Sequence, residues 1–152
     1  MNQLARKEHM KKLLYIILSC LILTACELET PNNGKLDGNW QLRQIDTLAT
    51  RGTCDMSYSY IYWAVESHLL QVRDIDNKNQ KILFRFEKQG DELMIHSPHF
   101  VQTKDELIPL ENDSLLTPLG FVGIKDTFLI EKLNHEHLIL RNQRYQLHFR
   151  RY

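Results

Sequence analysis

The sequence is poor in cysteine, and nothing in it can close a disulfide. Of three cysteines in 152 residues, Cys20 lies inside an apolar stretch near the start and Cys26 at its end, which leaves Cys54 alone in the remainder. One thiol cannot pair within the chain, and neither a CxxC motif nor a Cys/His spacing suited to zinc is present. Cys54 therefore reads as a small, partly buried side chain near a loop. A basic stripe is also missing. The formal charge is zero, but residues 1–25 hold four bases (Arg6, Lys7, Lys11, Lys12) and one acid (Glu8), leaving 15 bases and 18 acids beyond them, a balance near −3. That argues against nucleic acid as a partner.

Catalytic signatures are absent as well. Ser57, Ser59, Ser67, Ser97 and Ser114 sit in no Gly-x-Ser-x-Gly elbow. No glycine-rich loop suits a phosphate. Asp105, Glu106, Glu111 and Asp113 supply carboxylates that nothing pairs across a cleft, so they read as solvated acids. Of the histidines, His96 with His99 and His135 with His137 are close in sequence, but no third ligand is set by spacing. They read as exposed turn residues. No catalytic residue, cofactor or metal is expected.

An uncharged run extends from Leu13 to Ala25, just ahead of Cys26. As a helix, thirteen residues would span about 20 Å against a bilayer core of about 30 Å. Preceded by Met10-Lys11-Lys12, the run has the pattern of a secretory signal rather than a membrane span, and Met10 is itself a suitable start. It ends in Leu23-Thr24-Ala25-Cys26, which resembles the bacterial lipobox: small residues admit the peptidase, and the cysteine thiol takes a diacylglyceryl group. The expected plan is a signal peptide over 1–25, a lipidated Cys26 with a flexible polar tether through 36, and a folded domain over 37–152. Such a protein would sit in the cell envelope, held to a membrane, the outer one, by its lipid.

Beyond residue 36 the apolar pattern has a period of two. Trp40 and Leu42 alternate with Gln41 and Arg43; Ile82, Phe84 and Phe86 with Lys81, Leu83, Arg85 and Glu87; Tyr145, Leu147 and Phe149 with Gln146, His148 and Arg150. One face is buried and the other wet, as in an antiparallel sheet. Eight strands are predicted, at about 38–46, 58–66, 68–75, 80–88, 91–97, 126–133, 137–142 and 145–151. Short polar separators such as Gln89-Gly90-Asp91 and Asn142-Gln143-Arg144 suit hairpins between antiparallel neighbours.

Residues 98–125 break this rhythm. Pro98, Pro109 and Pro118 interrupt any long strand, and Thr117-Pro118-Leu119-Gly120 predicts a helical turn with Thr as cap and Gly beyond its end. Leu107, Ile108, Leu110, Leu115, Leu116, Leu119, Phe121, Val122 and Ile124 make this connection apolar. It is expected to plug a barrel end, cover a sheet edge, or gate a ligand.

Leu36-Asp37-Gly38-Asn39-Trp40, opening the first strand, resembles the Gly-x-Trp signature of lipocalins and of bacterial lipocalin-like lipoproteins. The closing hairpin, Leu138-Ile139-Leu140 followed by Tyr145 to Arg151, resembles theirs too. The resemblance implies an all-β, eight-stranded, antiparallel up-and-down barrel, either packed solid or holding one small ligand. Gly38 would let the chain bend into the barrel, and Trp40 would close one end beneath a stacked arginine, Arg141 or Arg150. An Asp-x-Tyr loop, a disulfide pair and a long C-terminal helix, usual in lipocalins, are lacking.

Tyr58, Tyr60 and Tyr62 share one face of their strand, and Ile61, Trp63 and Val65 the other. Parity does not say which faces inward. With Phe84 and Phe86, the three tyrosines form the candidate ligand pocket, their phenols meeting a ligand's polar end. The functional expectation is a noncatalytic, membrane-anchored barrel binding a small apolar or amphipathic molecule. The alternative is a solid-packed structural or protein- or glycan-binding lipoprotein whose partner the sequence does not name.

Overall fold

A computed structural model describes residues 32–77, 80–103 and 105–152. The leader, Leu23, Thr24, Ala25 and Cys26 therefore lie outside the described residues. Ten strands follow in order: β1 (Gly38–Thr47), β2 (Gly52–Asp55), β3 (Ile61–Glu66), β4 (Leu69–Asp74), β5 (Gln80–Gln89), β6 (Glu92–Thr103), β7 (Glu106–Pro109), β8 (Asp126–Leu133), β9 (His137–Arg141) and β10 (Tyr145–Arg151).

Eight of them, β1, β3, β4, β5, β6, β8, β9 and β10, form an antiparallel ring that closes where β10 returns to β1, with Leu42 opposite Phe149 and Trp40 opposite Arg151. The other two are short additions. β3 pairs with β1 only as far as Gln41, and β2 takes over that edge from Gln44; β7 likewise continues the β6 edge beyond β8. Both additions are fully exposed. They have no buried face, hence no alternation to read. Cys54 lies on β2 and is exposed rather than partly buried, its sulfur 3.6 Å from that of Met56.

Pro98, expected to end its strand, lies inside β6 instead. The ladder shifts register opposite it, between Leu83 and Arg85, and Ser97 adopts φ 53°. A bulge of this kind tolerates a residue that has no N–H to donate.

Inward-facing side chains build one core, and its lower end is closed around Trp40. The indole N–H donates to the Leu36 carbonyl at 2.8 Å. A guanidinium lies over the ring at 4.3 Å, and it belongs to Arg151. The expectation of Arg141 or Arg150 is corrected by parity itself: the alternation that puts Leu147 and Phe149 inside puts Arg151 there too, and Arg150 outside. Arg141 pairs with Glu131 at 2.7 Å instead. Arg151 also donates to the carbonyls of Asp37 (3.1 Å) and Lys35 (2.5 Å), tying the chain end to the turn before β1. Gly38, at φ 129°, lies against that guanidinium, where a Cβ would come within 2.5 Å of Nη1. Only glycine fits there.

The flexible tether expected through 36 ends earlier. Gly34–Leu36 is a 3-10 turn with Leu36 wholly buried, and the Asn33 amide donates to Asp37 (2.7 Å) and to the Ser67 carbonyl (2.8 Å).

On the outer face of the β1–β10 seam, His148 lies 2.8 Å from Asp46, which also accepts from Thr53 and Gln44. Burial pushes the Asp46 carboxyl up, but these hydrogen bonds outweigh it and hold the group below its usual 3.8.

Candidate functional site at the barrel mouth

The turns joining β3–β4, β5–β6 and β8–β9 lie at the Trp40 end; the β4–β5 and β9–β10 turns and the segment 110–125 lie at the other. That segment is the plug the sequence allowed. Its centre is the 3-10 turn Thr117–Leu119, with Pro118 in the first turn and Gly120 in the left-handed region at φ 88°. Thr117 does not cap the turn; its hydroxyl donates back to the Asp113 carbonyl at 3.2 Å. Gly120 packs against Leu147 so closely that a Cβ would collide with it.

From this turn Leu116, Leu119 and Phe121 descend into the core. Phe121 lies between two nearly parallel rings, Trp63 at 5.3 Å and 19° and Phe84 at 4.9 Å and 9°, with Phe128 edge-on at 5.6 Å. Trp63 also meets Phe149 at 4.8 Å. Leu107, Ile108, Leu115 and Ile124 remain exposed. The connection thus contributes only its middle to the interior.

Polar groups hold the plug down. Asp126, at the head of β8, accepts from the Val122 N–H (2.9 Å) and from the Asn142 amide (2.8 Å), and the same amide nitrogen donates to the Gly120 carbonyl (2.9 Å). Asn142 is fixed in turn by Arg144 and Tyr145 N–H groups on its oxygen. Burial raises the Asp126 carboxyl above its usual 3.8, and the hydrogen bonds from Val122, Asn142 and Thr127 offset that only in part. A raised folded-state value favours folding fully below 3.8, and this contribution is lost as pH rises through that value. Asp126→Asn keeps an acceptor and removes the charge. Its stability relative to wild type should therefore rise with pH above 3.8 and then level off, as read from urea midpoints across that range.

Beside the plug a cleft of about 560 Å³ opens to solvent. Met56, Ile61, Pro118 and Leu119 supply its apolar lining, and Tyr58, Ser59, Asp74, Asp76 and Asn77 its polar lining. Asp74 accepts from the Asn77 N–H at 3.1 Å, and the Tyr60 carbonyl accepts from the Ile75 N–H at 3.4 Å, joining the stretches 56–61 and 74–77. Tyr60 reaches this contact with φ 45°, an uncommon conformation for a bulky residue.

The candidate pocket from sequence is divided by this geometry. Phe84 and Phe86 are buried inside. The tyrosines are not: Tyr58 is 82% and Tyr60 46% exposed, and Tyr62 lies half-buried outside, edge-on to Tyr152 at 5.0 Å. β3 begins only at Ile61, and its inward set is Ile61, Trp63 and Val65. The apolar member of an alternation belongs inside, a signal the sequence already carried. Sequence reasoning missed Met56, Asp76 and Asn77, which belong to connections, and Asp74, the last residue of β4; only the closed sheet brings them together. Of the histidines, His96 and His99 contact Ser97, through its hydroxyl (2.9 Å) and carbonyl (2.8 Å). Among the described residues no three His, Cys, Asp or Glu side chains gather as a metal site would require.

A closed antiparallel ring with a Gly-x-Trp floor and an arginine stacked on its tryptophan defines a lipocalin-like barrel. The chain belongs to the lipocalin-like domain family, which it matches over residues 21–152. A lipocalin-like protein from Bacteroides uniformis is similar in structure, with a TM-score of 0.61 at 20% identity, over 78% of this chain and all of that one. An uncharacterized protein from Bacteroides eggerthii is similar at TM-score 0.52 and 15% identity, over 76% of this chain and 98% of that one. At such identities the likeness is one of fold. A search of curated proteins finds no match.

Proposed function

We propose that this protein is a noncatalytic binding lipoprotein, held to the outer membrane by lipid on Cys26, that takes a small amphipathic molecule in its mouth cleft. The observation that carries this reading is the cleft: about 560 Å³, inside the range of small-molecule sites, and lined by both apolar and polar groups. An apolar body lies on Met56, Ile61, Pro118 and Leu119. A polar end that donates hydrogen bonds meets Asp74, Asp76 and Asn77.

The test is a titration with N-phenyl-1-naphthylamine, a neutral apolar amine whose emission rises out of water. One saturable site per chain is expected. Met56→Arg, which fills the cleft with a charged side chain, should weaken binding about tenfold or more, equivalent to about 1.4 kcal/mol. Tyr58→Ala, an exposed position, should weaken it by a smaller factor with the unfolding midpoint unchanged. A rise that never saturates, or two variants that titrate like wild type, would remove the cleft as a ligand site. The alternative reading, an interaction lipoprotein, is favoured by exposed Leu107 and Ile108 on β7 and by exposed Leu115. That surface would then be the functional one.

A further inference from the structure

On the outer wall of the barrel the antiparallel register sets two bases side by side. Arg73 on β4 is directly opposite Lys81 on β5, and on its other flank directly opposite Tyr62 on β3. Like charges in that relation repel and weaken a sheet. Among the described residues neither base has a carboxylate within ion-pair distance. Arg73 is also half-buried, and its Nε, shut off from solvent, finds no acceptor among them. A guanidinium partly out of water without a counter-charge is held at a cost that an arriving anion relieves.

The surroundings say which anion. Between this row and the closed end, the outward positions of β3, β4 and β5 hold one more base, Arg85, and one acid, Glu66. The others there, Leu69, Gln71, Leu83 and Ala64, are uncharged. This positive wall runs against the chain beyond residue 25, which has 15 bases and 18 acids. The carboxylates of Asp74 and Asp76 stand past it, in the mouth cleft. Bases set among apolar side chains suit the boundary between lipid headgroups and acyl chains.

The chain leaves the barrel at the foot of the same wall. The Asn33 amide is bonded to the Ser67 carbonyl, in the turn between β3 and β4. Only residues 27–32 separate Asn33 from Cys26, a stretch that spans at most about 25 Å. From Leu69 at the foot to Arg73 is four residues of strand, about 14 Å. A lipid on Cys26 therefore leaves enough chain for the barrel to lie on this wall, and too little to hold it far from the bilayer.

We propose that Arg73 and Lys81 take the phosphate of an anionic lipid headgroup between them, so that the barrel rests its β3–β5 wall on the membrane that holds its anchor. This rests on the reading of Cys26 as the lipid site and is independent of any ligand in the cleft.

The test compares the whole lipid-bearing protein in nanodiscs of phosphatidylcholine with the same protein in nanodiscs containing phosphatidylglycerol. Both are labelled with acetic anhydride and read lysine by lysine from peptide masses. Phosphatidylglycerol should slow acetylation of Lys81 about fivefold, the factor that one base gains near an anionic leaflet. Lys132, on β8 and three strands round the ring from β4, should keep its rate. In 1 M salt, where screening acts beyond about 3 Å, the difference should vanish. Arg73→Gln should remove most of the slowing at Lys81, whereas Lys125→Gln, on the exposed plug, should leave it as in wild type. The mass of the chain decides the anchor separately: with no lipid on it, anchor and docking both fall. With the lipid present, a Lys81 rate that is the same in both discs overturns the docking alone. A rate that falls with protein loading in either disc assigns the wall to a second copy and overturns it too. Slowing that survives Arg73→Gln overturns the phosphate site.

Discussion

Replacing Trp40 with alanine is expected to lower the stability of the barrel by about 3–5 kcal/mol, the range for a large aromatic lost from a core. Trp40 is wholly buried, its N–H is bonded to Leu36, and its ring carries the Arg151 guanidinium. Its loss opens a cavity, frees the Leu36 carbonyl, and leaves Arg151 without the surface that holds it across the closed end of the β1–β10 seam. A domain of this size has only about 5–15 kcal/mol in total. The variant should thus fall close to the folding threshold, with a urea midpoint lowered by about 1–5 M for a slope of about 1–3 kcal/mol per molar. Arg151→Lys separates the contributions. It keeps the charge and loses the flat guanidinium with its two carbonyl contacts, so a smaller loss is expected, whereas Arg150→Lys on the exposed face should change little.

Replacing Cys26 with serine is expected to abolish the lipid mass and leave the leader uncleaved, so that the chain keeps its apolar run ahead of residue 26. A serine hydroxyl does not take the diacylglyceryl group, and without that step the lipoprotein peptidase has no substrate. Each buried methylene contributes about 0.8 kcal/mol, so two long chains hold a protein with a residence that ordinary washing does not break. The measurement is fractionation with mass determination: wild type in the membrane carrying lipid mass, Cys26→Ser without that mass. A Cys26→Ser protein that still sediments with membrane and keeps the wild-type lipid mass would show that the anchor lies elsewhere.

How much of this was legible before the structure depends on which force placed each residue. Strands such as β5, with Ile82, Phe84 and Phe86 inward, announced themselves because a closed sheet buries one face and wets the other. β2 and β7 were invisible for the complementary reason: neither buries a face. Thr117 to Gly120 was readable as a turn from Pro and Gly alone, but not the descent of Phe121, which depends on the space left between Trp63 and Phe84. Aromatic density does not place the tyrosines; the apolar alternation of Ile61, Trp63 and Val65 does, leaving Tyr60 and Tyr62 outside the barrel and Tyr58 in the cleft lining. Arg151 was recoverable by carrying the parity of Leu147 and Phe149 one step further. The cleft was not recoverable at all, since its walls come from three separate stretches, 56–61, 74–77 and 118–119, that meet only once the ring has closed.

Native mass spectrometry of the protein drawn from its own host's membrane tests the binding function most directly. A ligand-bearing mouth predicts a small noncovalent mass on the lipid-bearing chain, present in wild type and lost in Met56→Arg. A wild-type protein that flies with no mass beyond its chain and its lipid, under conditions that keep it folded, would contradict the binding function and leave a plugged barrel whose outer surface does its work.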